Sequence, residues 1–243
     1  MTGMSISTDV REKRTLEGRW TGWCRTATAS GMAAAFLIAF ASAAAVLALF
    51  GAGERGTALA LRVTARWSFV LFWLAYTGSA MGRLFGPRLA GLARRGRDFG
   101  LAFASAQVIH VGLILWLFHL APGSNGGMVF FWVGILCTYL LALISLPRIR
   151  STLGPGVWLI LRTVAIEYIA LVFAADFILI PLQVNGFGKY PLTYLPFAIL
   201  LIGGAGLRVA AYIRQQLPPS KINQMNLAPR NSDPRNSSID PRS

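Results

Sequence analysis

One stretch constrains the fold more than any other: FGLAFASAQVIHVGLILWLFHLAP, from Phe99 to Pro122. It holds about 22 residues without a formal charge, enough to cross a ~30 Å hydrocarbon core at ~1.5 Å per helical residue. Both histidines of the chain, His110 and His119, lie in it, and Arg94, Arg95 and Arg97 stand just ahead of it. Any metal or proton chemistry that needs an imidazole is therefore confined to this segment.

The remaining composition agrees. Of 243 residues, 55% are hydrophobic and 13% charged, with a mean hydropathy of +0.56. A soluble domain carries about 25% charged residues. The net charge of +14 would suit a nucleic-acid partner. Its placement in short segments beside apolar runs instead suits the orientation of helices in a lipid bilayer, so no nucleic acid is expected. Cys24 and Cys137 are too few and too separated for a CxxC metal or redox site.

Apolar runs recur along the chain. The segment 1–27 is polar and mixed in charge, with Trp20 and Trp23 where an interfacial belt would sit. A first membrane helix is predicted at about 28–51, longer than the 7–15 apolar residues of a signal-peptide core. A second run, Trp67–Gly82, is entered by Arg62 and Arg66, which can snorkel. Phe99–Pro122 is the third. Met128–Pro147 follows the turn formers APGSNGG, and Val157–Leu182 follows a Gly/Pro loop at Ser151–Gly156. Pro191 to about Tyr212 is the sixth. The segment 213–243 is rich in Pro, Asn and Ser, cannot bury a core, and is predicted to be a disordered tail. The predicted fold is thus all-α, a polytopic membrane protein with a bundle of six transmembrane helices over 28–212.

Charge sets the orientation. With the N-terminus inside, the inner segments hold Arg11, Lys13, Arg14, Arg19 and Arg25; Arg83, Arg88, Arg94, Arg95 and Arg97; Arg148 and Arg150; and six basic residues from Arg208 onward. The outer side holds Arg55, Arg62, Arg66 and Lys189. This asymmetry places both termini in the cytoplasm of a cell whose inner membrane the chain spans. No internal repeat, strand or Gly-rich phosphate loop is present in the sequence. The tail of about 30 residues is too short for a soluble flavin or nicotinamide domain.

Few residues can carry chemistry. Nine helical steps put His110 and His119 on opposite faces and ~13 Å apart, so they cannot share one metal ion. His119 falls at the outer end of its helix, whereas His110 lies ~16 Å deep, where an ionisable side chain is a functional candidate. Glu167 in the fifth run lies at the same depth, and a His110–Glu167 pair would relieve the cost of burying either alone. Arg162, five residues before it, can snorkel. Arg162 and Asp176 are 14 residues apart, within about 40° on one helix face. His110, Arg162, Glu167 and Asp176 are the candidate polar network. No catalytic residue is identified.

The segment RRGRDFGLAFASAQVIH (Arg94–His110) resembles the RR-x-L-G-L…H signature of ferric reductase-like transmembrane domains. That family includes the haem-binding membrane subunit of the methionine sulfoxide reductase system and the membrane domains of NADPH oxidases. Arg97, Gly100, Leu101 and His110 fall on matching positions. Ala65–Gly86 and WLILRTVAIEYIALVF (Trp158–Phe173) are similar to the family's second and fifth helices. The resemblance covers roughly 28–212, agrees with six helices, and implies a b-type haem, with His110 as an iron ligand, and transmembrane electron transfer to or from a redox partner protein.

One departure stands out. The family's fifth-helix histidine aligns with Arg162, which cannot coordinate iron. Asp176 lies near where a second ligand of that helix is expected. Three readings follow: an oxidoreductase component holding one haem through His110; a haem-free accessory membrane subunit with a buried polar network; and a small transporter or proton conductor. The last would want inverted repeats and broken helices at the midplane.

Overall fold

The computed structural model describes residues 6–121, 128–183 and 191–216, and the side chains within them from residue 26 onward except at 128 and 147. Every regular element among the described residues is helical. Helix α1 spans Ile6–Phe50, α2 Glu54–Phe85, and a 3-10 turn Gly86–Leu89 leads into the short α3, Ala90–Arg94. Helix α4 spans Gly96–Leu120, α5 Met128–Ile144, α6 Pro147–Thr152 and α7 Pro155–Ala174. A π turn, Ala175–Leu179, continues α7 into α8, Ile180–Gln183, and α9 runs from Pro191 to Gln216.

Among the described residues, five segments are long and apolar enough to cross a membrane: Thr26–Phe50, Glu54–Arg94, Gly96–Leu120, Pro155–Gln183 and Pro191–Gln216. The sixth apolar helix, α5, has 17 residues. At ~1.5 Å per residue that is ~25 Å, short of a ~30 Å core, and the residues before it, 122–127, lie outside the described segments. Among the described residues the chain is therefore a helical membrane protein with five apolar helices of membrane-spanning length and one shorter apolar helix. The expected tail lies outside the described residues from 217 onward, and α9 extends to Gln216 rather than ending near 212. Helix α1 starts at Ile6, well before its apolar part, and no proline interrupts the polar segment. The second span is also longer than the apolar run that announces it. The loop expected at Ser151–Gly156 narrows to Leu153–Gly154, with Pro155 opening α7 at a position where its missing N–H costs nothing.

Small residues bring the first helices together. Ala35, Ala39 and Ala43 form a buried stripe on α1, and Thr57, Ala60, Thr64 and Ser68 form one on α2. Spacings of three and four residues align such residues on one helix face and let backbones approach closely. Trp67 Nε1 donates to Ala35 O across 3.2 Å, and Ser105 Oγ to Met32 O across 2.9 Å, so α2 and α4 are both pinned to α1.

Aromatic rings fill the rest of the core. Phe69 makes edge contacts with Phe173, Phe177 and Phe197, at 5.2, 5.2 and 5.7 Å between centroids. Phe72 joins Phe103 and Phe173 to this group. The cluster knits α2, α4, α7 and α9 and closes the centre of the bundle. At Gly204 a Cβ would come within 2.9 Å of Trp73 Nε1, so glycine lets α9 approach α2 closely enough for Trp73 to donate to Leu200 O. Pro181 accounts for the π turn. It has no N–H to give to Phe177 O, and the helix widens just before it, with Ile180 N–H bonded to Ala175 O five residues back.

Candidate functional site

His110 is positioned by α2. Its Nδ1 lies 2.9 Å from Thr64 Oγ1, on the buried small-residue stripe. The Thr64 hydroxyl also sits 3.0 Å from Ala60 O and 3.1 Å from Leu61 O. A threonine hydroxyl has one proton, and the carbonyls of its own helix take it in the usual back-bonding pattern. Thr64 Oγ1 therefore accepts from His110 Nδ1–H, which fixes the tautomer and leaves Nε2 with its lone pair free. Thr64 holds the ring and leaves Nε2 as its open nitrogen.

The imidazole lines a cavity of about 290 Å³ between α2, α4, α5 and the α7 end, together with Gln107, Arg62, Thr138 and Asp176. Its other walls are apolar, including Phe118, Trp132 and Phe173. Gln107 is one helical turn before His110, so both share a face. Its Oε1 is buried without a hydrogen-bond partner. Asp176 enters from the π turn, an irregularity that recurs at functional sites. Arg62 and Arg66, a turn apart on α2, supply the positive field around Asp176. An apolar cavity with an imidazole nitrogen, an orphan amide oxygen and a carboxylate is the arrangement expected of a small-molecule site inside a bundle.

Arg162 does not reach this cavity. It lines a second one of about 220 Å³, with Arg94, Arg97, Arg150 and Trp158. Phe103 and Thr138 line both cavities, so the two lie back to back through the bundle.

Glu167 does not meet His110 either. Its carboxylate accepts from Arg208 of α9 through Oε1, N–O distance 2.6 Å, and from the Tyr76 hydroxyl of α2 through Oε2, 3.1 Å. Arg208 stacks on the Tyr76 ring, 4.4 Å from its centroid, and also donates to Tyr76 O. Equal depth on two helices says nothing about which faces meet, and α9 supplies a cation first. The four expected network residues thus divide among three places: His110 with Asp176, Arg162 with other arginines, and Glu167 with Arg208 and Tyr76. His119 is exposed near the end of α4, its ring 5.7 Å from that of Trp116.

Sequence reasoning missed Thr64, Gln107, Tyr76 and Arg208. Gln107 carried a readable signal, a lone amide one turn from a mid-helix histidine in an apolar helix. Arg208 was masked by its nearness to the basic tail, though it lies eight residues, ~12 Å, inside the end of α9. Among the described residues no three of His, Cys, Asp and Glu gather to hold a metal ion. No family model, curated protein or solved structure matches the chain, so its assignment rests on these residues and their geometry.

Proposed function

We propose that the chain is a six-span membrane protein, with both termini in the cytoplasm, that holds a b-type haem through His110 and takes part in transmembrane electron transfer. The observation that carries this reading is the Thr64-fixed imidazole, whose free Nε2 belongs to a side chain lining an intramembrane cavity. A ligating histidine characteristically has its other nitrogen engaged in this way. A haem would be held by His110 Nε2 and would supply one-electron chemistry at the site. Among the described residues that line the cavity, His110 is the only imidazole. The resemblance of Arg94–His110 to ferric reductase-like domains supports the same residue. Electron donor and acceptor would be partner proteins or small molecules at the two membrane faces.

The protein's own groups define what surrounds that nitrogen. Gln107 presents an uncommitted polar atom one turn away, and Asp176 with Arg62 forms the polar rim toward the opposite membrane face. Phe103, Phe118 and Phe173 exclude water from the remainder.

A second reading is favoured by the cavity's size and by Arg162. About 290 Å³ lies at the low end of the ~300–1,000 Å³ typical of small-molecule sites, and the fifth-helix position matching the family's ligand faces a different cavity. A haem-free accessory subunit, binding a smaller ligand or partner, would use the same bundle. The absorbance spectrum of the purified protein in detergent decides between them. A Soret band with reducible α and β bands is expected; a colourless preparation overturns the haem reading and leaves the accessory one.

The span count has its own test. Basic residues concentrate at the α2–α4 and α5–α7 connections and at both chain ends, which fits six crossings if α5 spans. Reporter fusions after Ser124 and after Ser243 are expected on opposite sides of the membrane. The same side for both would refute the count or the orientation.

A further inference from the structure

The second cavity has no part in that reading. Its lining brings together four guanidinium groups from four elements: Arg94 of α3, Arg97 of α4, Arg150 of α6 and Arg162 of α7. Arg150 and Arg162 both lie over the Trp158 ring, at 4.5 and 5.6 Å from its centroid. The indole Nε1–H of Trp158 is buried and has no hydrogen-bond partner. No acidic side chain lines the cavity. Among the described residues, the two carboxylates at this end of the bundle are occupied elsewhere, Asp98 by Thr28 and Glu167 by Arg208 and Tyr76. The charges that bear on Arg162 are Arg208, Arg150 and Arg83, all cationic.

Four like charges facing about 220 Å³ of open space, with the unpartnered Trp158 Nε1–H beside them, are complementary to an anion. Arg162 is half-buried while Arg94, Arg97 and Arg150 are exposed, so an anion entering the cavity meets one guanidinium partly stripped of water and three at its rim. Guanidinium forks match the geometry of phosphate oxygens. Basic pockets between membrane helices on the cytoplasmic side take the headgroups of anionic lipids.

We propose that the Arg94–Arg97–Arg150–Arg162 cavity binds a phosphate group. The guanidinium forks and Trp158 Nε1–H donate to its oxygens, and the group belongs either to an anionic phospholipid or to a free phosphate. The proposal is independent of the haem reading, because the lining residues that carry it are not those around His110.

The test is native mass spectrometry of the full-length protein in a non-ionic detergent, titrated with phosphatidylglycerol, phosphatidylcholine and inorganic phosphate. Phosphatidylglycerol is expected to bind about tenfold tighter than phosphatidylcholine. Arg162→Gln and Arg150→Gln should each weaken it about tenfold, the size of one lost charge-assisted hydrogen-bond pair. Trp158→Phe, which keeps the ring and deletes the donor, should weaken it several-fold. Arg148→Gln, on the same short helix but outside the cavity, should change nothing. One-to-one binding of inorganic phosphate with the same variant pattern, and no lipid preference, would identify a free phosphate as the ligand. Arg150 is exposed, so its variant folds even if the Arg162 one does not. Absence of both lipid preference and phosphate binding overturns the proposal. So does an Arg150→Gln variant that binds like wild type, or an Arg148→Gln variant that loses as much as Arg162→Gln.

Discussion

Glu167→Leu is expected to destabilise the protein in detergent by about 2–3 kcal/mol, and adding Arg208→Leu to restore most of the loss. The carboxylate lies twelve residues into α7, ~18 Å from its start. Its side chain keeps 47% of its accessible surface and Arg208 keeps 25%, so the pair sits at the bundle surface, where lipid or another helix replaces water. A surface pair in water is worth at most about 1 kcal/mol. At membrane depth, a cation stripped of its partner carries an insertion cost of roughly 2.5–3.5 kcal/mol. Leucine at 167 leaves Arg208 in that state, with only the Tyr76 ring and backbone oxygen to accommodate it. Glutamine at 167 keeps an acceptor for the Tyr76 hydroxyl and should cost about 1 kcal/mol. The two leucine substitutions should therefore couple strongly in a double-mutant cycle read by thermal unfolding. Additive losses would show that the ion pair contributes no interaction energy of its own.

That pair also marks how far the sequence can be read. Positions along the membrane normal are linear in residue number, so each apolar run became a helix and the depths of His110 and Glu167 followed directly. Rotation about a helix axis is not linear in anything visible. It depends on which faces pack, and those are set here by small-residue stripes such as Ala35, Ala39 and Ala43 that read as ordinary apolar sequence. The His110–Glu167 pair failed for this reason: α7 turns Glu167 toward Tyr76 and Arg208. Asp176 reached the His110 cavity through the π turn before Pro181, a register change that a uniform 100° per residue cannot anticipate. The arginines were legible as orientation signals in one dimension, and their convergence on one cavity emerged only with the fold. Helices α1 and α2 begin well before the apolar runs that announce them, because polar residues outside the bilayer continue a helix as readily as they leave one, whereas α5 stops at Ile144, short of the expected Pro147.

His110→Ala is expected to abolish the Soret band of the wild-type protein, and His119→Ala to leave it unchanged. The two histidines differ in every relevant respect. His119 is exposed near the end of α4 and rests against Trp116. His110 is half-buried, lines the cavity, and has its Nδ1 tied to Thr64. Thr64 extends the test beyond the ligand itself. Valine there matches threonine in shape but cannot accept the Nδ1–H, so the imidazole loses both its tautomer preference and its orientation. Such outer partners are worth about 10–100-fold in metal affinity, so Thr64→Val should lower haem occupancy at limiting haem by that order. Thr64→Ser keeps the acceptor and should retain most of the occupancy, which separates hydrogen bonding from packing. If the band persists in His110→Ala and disappears in His119→Ala, the assignment of the site is wrong. If Thr64→Val and Thr64→Ser lose equal amounts, the threonine acts by filling space between α2 and α4, and the tautomer argument falls.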